Sequence, residues 1–322
     1  MFSLEKILTI DTEDDKTAGM GLTDIRNFDV DSEGKIFISN PRAQENSIFI
    51  VDAEGGLISV FGRGGQGPGE LQSPRELSIS DQDEVFITDT GKVIIYNNTG
   101  EFLKDIRIDI DYQRIIPISG DRYLAIAVKL NDDLSQSFEV ILCSSGMEEL
   151  KVLDSSKIES FKTGPKVNII PTLVHWETSN NRIFTGNTEE YEIRVFDFNG
   201  ELVNTIRKEH VAVSLSEETR ARYEESLERY PPELRERFFI PEVFPPFRNI
   251  AALDDKWLLV QTYEELNDGI SLYDIFDSKG EFIGRTELEG YQVKFRGDRV
   301  YCLKQKESGY RELNVYQMIW DK

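Results

Sequence analysis

The chain has 322 residues, with 59 acidic against 37 basic side chains, a formal net charge of -22, two histidines and two cysteines. That acidic surplus opposes the phosphate attraction that dominates nucleic-acid affinity, so no DNA or RNA partner is expected. No stretch reaches the roughly 20 apolar residues of a membrane-spanning helix, and Cys143 and Cys302, each in an apolar strand-like run (VILCSS, RVYCLK), read as buried free thiols rather than a disulfide framework.

The opening MFSLEKILTI lacks the basic start and long apolar core of a signal peptide, so export would require a leader outside this sequence. A strand pair follows, IRNFDVDSEGKIFISN. Asp29, Asp31 and Glu33 stand at alternate positions before Gly34, like the first half of a calcium loop. The twelfth position is Asn40, where such a loop needs a bidentate Glu, and a strand intervenes, so an ordinary hairpin turn is predicted and no metal. A second pair, IFIVDAEGGLISVFG, leads into FGRGGQGPGELQSP, with five glycines and two prolines in residues 61–74. A phosphate cradle of the P-loop type would continue into Lys-Ser/Thr and a helix. A strand comes next instead, so this is read as a corner where the chain crosses from the rim of one sheet to the inner strand of the next.

The two-pair unit then repeats. The outer hairpin recurs as VIIYNNTGEFLKDIRI, EVILCSSGMEELKVL, IRVFDFNGELVNTIR and DIFDSKGEFIGRTEL. The inner pair recurs as RELSISDQDEVFITD, RIIPISGDRYLAIAV, LVHWETSNNRIFTGN, RNIAALDDKWLLVQT and YQVKFRGDRVYCLKQ. β-Branched and aromatic residues flank short turns that carry Asp, Asn or Ser and then Gly, the pattern of antiparallel hairpins. RELNVYQMIWDK is a third strand with no fourth after it, while FSLEKILTI resembles the fourth strands EFLKDIRI and ELVNTIRK. The prediction is an all-β, six-bladed β-propeller of four-stranded antiparallel blades, a single domain over residues 1–322, closed by its N-terminal strand so that no sheet edge is left open.

Residues 209–247, between blades 4 and 5, break the rhythm as a helical insertion. Ser216 is placed to cap a helix with Glu217 and Glu218 in its first turn, and Tyr223, Leu227 and Tyr230 recur on one face. Pro231 and Pro232 end it and start a second short helix carrying Leu234 and Phe238. Phe238, Phe239, Phe244 and Phe247, among Pro241, Pro245 and Pro246, are expected to form either a lid over the central channel or an anchor on the propeller flank.

The stretch GPGELQSPRELSISDQDEVFITDTGKVIIYNNTGEFLKDI resembles an NHL repeat, with Glu70, Pro74, Asp89, Gly91 and Gly100 at matching places. The likeness is densest over residues 61–108 and extends to 25–60. The whole chain also resembles six-bladed propellers that occur as lipoproteins and secreted proteins of bacterial cell envelopes. That resemblance implies a periplasmic, cell-surface or secreted address and no particular reaction or cofactor.

Stacking the inner strands by repeat brings Arg26, Arg75, Arg114 and Arg248 to near-equivalent places, with His175 and Lys294 near the same place in the other two. Such a ring at the channel mouth would focus positive potential on a carboxylate, sulfate or phosphate ligand. The competing reading pairs each arginine with a neighbouring acid, Glu70 and Glu76 being candidates, and makes it a tie between blades. The functional expectation is a non-enzymatic propeller that binds a small anionic ligand or a protein partner, with no catalytic residues assigned. The alternative, drawn from related propellers that are lyases and lactone hydrolases, is a metal- or His-dependent site on the axis involving His175 and Glu177. His210 opens the insertion and is expected to be exposed; its distance from His175 gives no familiar zinc spacing.

Overall fold

In the computed structural model, which describes residues 2–320 except 42–45, 109–111, 119–121, 180, 254–256 and 268, the repeating hairpins form six four-stranded antiparallel sheets. Blade 1 runs through Asn27–Val30, Ile36–Ser39, Asn46–Val51 and Leu57–Arg63, from the axis to the rim. Blade 2 begins at Glu76–Ile79, blade 3 at Tyr112–Ile118, blade 4 at His175–Ser179, blade 5 at Asn249–Leu253 and blade 6 at Gln292–Arg296. The predicted turns over 119–121 and 254–256 lie outside the described residues. Phe2–Asp11 pairs antiparallel with Arg311–Trp320 and supplies the rim strand of blade 6, so the first strand closes the ring as predicted.

Six buried clusters fill the six seams between neighbouring blades. Phe28, Phe49 and Tyr301 pack blade 6 on blade 1, and Phe37, Phe61 and Tyr96 pack blade 1 on blade 2. Phe86, Tyr112 and Ile141 follow in the next seam. Trp176 and Phe196 lie between blades 3 and 4, Tyr191, Phe247 and Phe276 between 4 and 5, and Tyr273 and Met318 between 5 and 6. The turns between third and fourth strands take part in these seams. Gly100 (φ +87°) and Gly280 (φ +86°) adopt left-handed backbone, and a Cβ on either would lie 2.7 Å from Phe61 and Ile206 respectively. Glycine is therefore required twice over, for the turn and for the approach of the preceding blade.

The corner at 61–74 is held by side chains. The Asp89 carboxylate accepts from the N–H groups of Gln72 and Ser73 at 2.6 Å each, Lys92 donates to the Gly67 and Glu70 carbonyls, and Tyr96 donates to that of Gly69. Its backbone groups serve the crossing into blade 2. The DVDSEG segment is a hairpin turn in which Asp31 accepts from the N–H groups of Glu33 and Lys35.

The insertion contains the expected helix, Glu217–Leu227, capped by Ser216, and a short one, Pro232–Arg235. Phe238 is not helical: Phe238–Phe239 forms a two-residue parallel pair with Val167–Asn168. The reason is Arg237, whose guanidinium donates to the carbonyls of Ser160, Thr163, Gly164 and Pro165 and draws the chain against the crossing from blade 3 to blade 4. Tertiary hydrogen bonds override the local pattern there.

Candidate functional site: the central channel

Inner strands in a propeller run in the same direction, so their first residues share one mouth of the channel. Register fixes which residues are equivalent. The backbone N–H groups of Arg26, Arg75 and Arg248 each donate to the carbonyl of a residue in the neighbouring second strand, Ser39, Thr88 and Gln261, at 2.7–2.8 Å. In blade 6 that place belongs to Tyr291, which donates to Leu303. Arg114 and His175 are one residue further in, paired with Ile126 and Gly186 at the level of Asn27, Glu76, Asn249 and Gln292. Lys294 lies deeper still, at the level of Asp29. The expected girdle of six is thus a rim of three arginines with Arg114, His175 and Lys294 staggered along the wall. The crossings between blades differ in length, so counting along the chain does not fix register; the cross-strand hydrogen bonds do.

At the rim, Arg26 donates to the Pro74 carbonyl of blade 2 (3.2 Å) and Arg75 to the Tyr112 carbonyl of blade 3 (3.4 Å), while the Arg248 guanidinium lies 5.7 Å from the Tyr263 ring centre. Of the acids expected to neutralise the ring, Glu76 lies 3.7 Å from Arg114, and Glu70 serves the corner beside Arg63. Arg114 also sits over Trp176 at 4.8 Å.

Behind the rim is a cavity of about 320 Å³ to which all six inner strands contribute. Its charged lining is Arg114, Lys294 and Arg296 against Asp29, Asp81 and Glu177. Asp29 is a three-blade clasp: one oxygen pairs with Lys294 of blade 6 at 2.8 Å and the other accepts from Ile79 N–H of blade 2. Glu177 accepts from the Thr178 N–H. Asp81 and Arg296 were missed from sequence because they fall at the far ends of inner strands, in turns that vary between repeats.

His175 is not among the residues lining the cavity. Its ring is 6.0 Å from that of Phe247 and bonds the Asn249 side chain, and burial lowers its pKa to about 4, leaving it neutral near pH 7. The aromatic cluster divides. Phe247 is fully buried in the blade 4–5 seam, Phe244 stacks on Tyr263 at 4.5 Å, Phe238 packs on Phe161 and Tyr230, and Phe239 is exposed. None of the four lines the cavity.

A second polar constellation lies in the blade 4–5 seam and carries no sequence motif. Where the third strands of blades 1 to 3 turn Phe49, Ile94 and Ile141 toward the preceding blade, blades 4 to 6 place Arg194, Asp274 and Asn314. Asp274 is 0% exposed. It accepts from the Tyr191 hydroxyl (2.6 Å) and Lys208 (2.7 Å) on one oxygen and from Arg285 (2.8 Å) on the other. Burial and the adjacent carboxylate raise the Tyr191 pKa, so its hydroxyl stays a donor. Comparing the third strands position by position is the one signal that would have found it.

A family model described as a 6-bladed β-propeller, DUF5128, matches residues 8–172. Among solved structures, a candidate exported protein from Bacteroides fragilis NCTC 9343 is similar at 12% identity and a TM-score of 0.57, with 99% of this chain and 95% of that chain covered. A member of the DUF4221 family from Bacteroides vulgatus ATCC 8482 is similar at 11% identity and a TM-score of 0.56, with 100% and 99% covered. At these identities the likeness shows the fold alone. No curated protein matches the sequence.

Proposed function

This chain belongs to the DUF5128 family of six-bladed β-propellers, and within that fold we propose that it acts as a non-catalytic binding protein of the bacterial cell envelope whose central channel takes a small anionic ligand. The observation that carries this reading is the gathering of cationic side chains along the channel. In a protein with a formal charge of -22, Arg26, Arg75 and Arg248 sit at three register-equivalent positions at one mouth, and further along the axis Arg114, Lys294 and Arg296 line a cavity together with Asp29, Asp81 and Glu177. Lys294 is paired with Asp29, Arg114 lies 3.7 Å from Glu76 and Arg296 3.9 Å from Asp83, so an entering anion joins these clusters as a further acceptor. A carboxylate, sulfate or phosphate entering there exchanges bulk water for guanidinium donors in a site with restricted solvent, where charge-assisted hydrogen bonds are strongest. The volume suits a small ligand. The envelope address is supported by the candidate exported protein of the same fold. Among the described residues no helix is long and apolar enough to cross a membrane.

A lyase or lactonase site has less support, since His175 faces Phe247 and Asn249 and does not line the cavity beside Glu177. The test is thermal unfolding against a panel of sulfate, phosphate, succinate and citrate. At least one anion should raise Tm in a concentration-dependent way, because a ligand selective for the native state adds RT ln(1 + [L]/Kd) of stability. Arg75→Ala or Arg248→Ala should remove the effect. No stabilisation by any anion, or an effect that survives both substitutions, would overturn the reading.

A further inference from the structure

The blade 4–5 seam opens, at the root of the insertion, into a cavity of about 410 Å³ separate from the channel. One wall is the ionic cluster of Lys208 and Arg285 on buried Asp274, with Glu264 bound to Arg285 at 3.1 Å. The opposite wall is main chain. Glu209 to Val213 lies outside any helix or strand, and the N–H groups of these five residues make no hydrogen bond among the described residues. Immediately downstream the same chain enters an antiparallel bridge, Ser214 to Val243, flanked by hydrogen bonds from Phe244 to Val213 and from Leu215 to Glu242. The ladder therefore stops at Val213 with an open edge upstream, and on that edge Val211 is 90% exposed.

An unpaired run of main chain beside a side-chain pocket is the arrangement by which extended peptides are captured: backbone pairing supplies affinity and the pocket supplies selectivity. The charge balance selects the peptide. Around the cavity Glu209, Glu264 and Asp274 stand against Lys208 and Arg285, Glu209 has no ion pair among the described residues, and the whole molecule is strongly acidic. We propose that Glu209–Val213 is a docking edge for an extended, basic segment of a partner protein. The segment continues the Ser214–Val243 ladder upstream and places a lysine or arginine side chain in the seam cavity, against Glu209 and Glu264. Long-range attraction to the acidic surface assists encounter.

The probe is a display library of random decapeptides selected on the full chain. Enriched peptides should combine lysine or arginine with β-branched residues, and a synthetic copy should protect the amides of Glu209 to Val213 from hydrogen exchange. Its affinity should fall at least tenfold with Val211→Pro, which removes an N–H, and with Glu209→Lys, which reverses the charge. Both residues are exposed and make no hydrogen bond from the groups altered among the described residues, so Tm should not change. No enrichment, enriched peptides without basic residues, or binding that leaves those amides unprotected and both variants unaffected would overturn the proposal.

Discussion

Blades 1 to 3 and blades 4 to 6 share one topology and differ in how their seams are filled. At the same place in the third strand the first half presents Phe49, Ile94 and Ile141 to the preceding blade, and the second half Arg194, Asp274 and Asn314. Arg194 meets Asp154 at 3.3 Å, Asp274 meets Lys208 and Arg285, and Asn314 donates to Glu289, which also binds Lys304 and the Tyr316 hydroxyl. An apolar seam needs only matching volume, whereas a buried ionic seam needs every partner in place to offset desolvation. The family match ends at residue 172, so it covers the apolar half. The half with ionic seams also carries the insertion and the seam cavity, which is where a propeller departs from its repeat when a position serves more than packing.

That contrast can be broken from either side. Ile94→Asp introduces a carboxylate among Phe37, Ile48, Leu77 and Ile87; burying an unpaired charge costs roughly 4 kcal/mol or more, and little soluble folded protein is expected on expression. Asp274→Ala removes the carboxylate that joins Tyr191, Lys208 and Arg285, leaving Arg285 with Glu264 alone, and should cost about 1–3 kcal/mol in urea unfolding. Replacing Asp274, Lys208 and Arg285 together by Leu, Met and Leu should recover most of that loss, turning this seam into one of the first-half kind. If Asp274→Ala is as stable as the parent, the ionic seam is decoration.

A milder probe uses pH, because the second half contains the half-buried His175. The folded pKa of His175 is about 4 against an ordinary 6.5. Above pH 6.5 the group is neutral in both states and contributes nothing to the pH dependence. As pH falls from 6.5 to 4 the unfolded chain takes up the proton first, so stability is lost over that window, by up to about 3 kcal/mol. His175→Gln should flatten the difference in unfolding free energy between pH 7 and pH 4.5; an unchanged slope would show that the imidazole is solvated. The smallest expected contrast is between Gly100→Ala and Gly280→Ala. Each meets a side chain of the preceding blade in the same way, so both should cost about 1–3 kcal/mol, and a difference above that range would mean that the turns of the two halves are not interchangeable.

Much of this architecture was legible because its determinants are local. Polar residues followed by glycine mark the outer turns, alternating β-branched residues mark the strands, and the likeness of FSLEKILTI to other fourth strands announced the closure. Placement of the channel side chains was legible only to within a residue or two, and in an alternating strand one residue decides which way a side chain faces. Hence Arg26, Arg75 and Arg248 proved equivalent while Arg114, His175 and Lys294 did not. The Asp274 cluster was not legible at all. Its partners Tyr191 and Lys208 lie 83 and 66 residues earlier, and no spacing rule connects them. Phe238 was misplaced for a related reason, since Arg237 reaches 72–77 residues back to hold the strand pair beside it.

The pairing of Phe2–Asp11 with Arg311–Trp320 also sets an order of events during biosynthesis. The 300 residues from Thr12 to Arg311 leave the ribosome over roughly 15–60 s at ordinary elongation rates, and throughout that time the closing strand has no mate. Blades 1 to 5 can assemble in turn behind it, but the last one cannot. Nascent chains must therefore keep this strand from pairing elsewhere until Arg311–Trp320 has emerged, and a factor that shields it would raise the yield of closed rings more than one acting on any later blade.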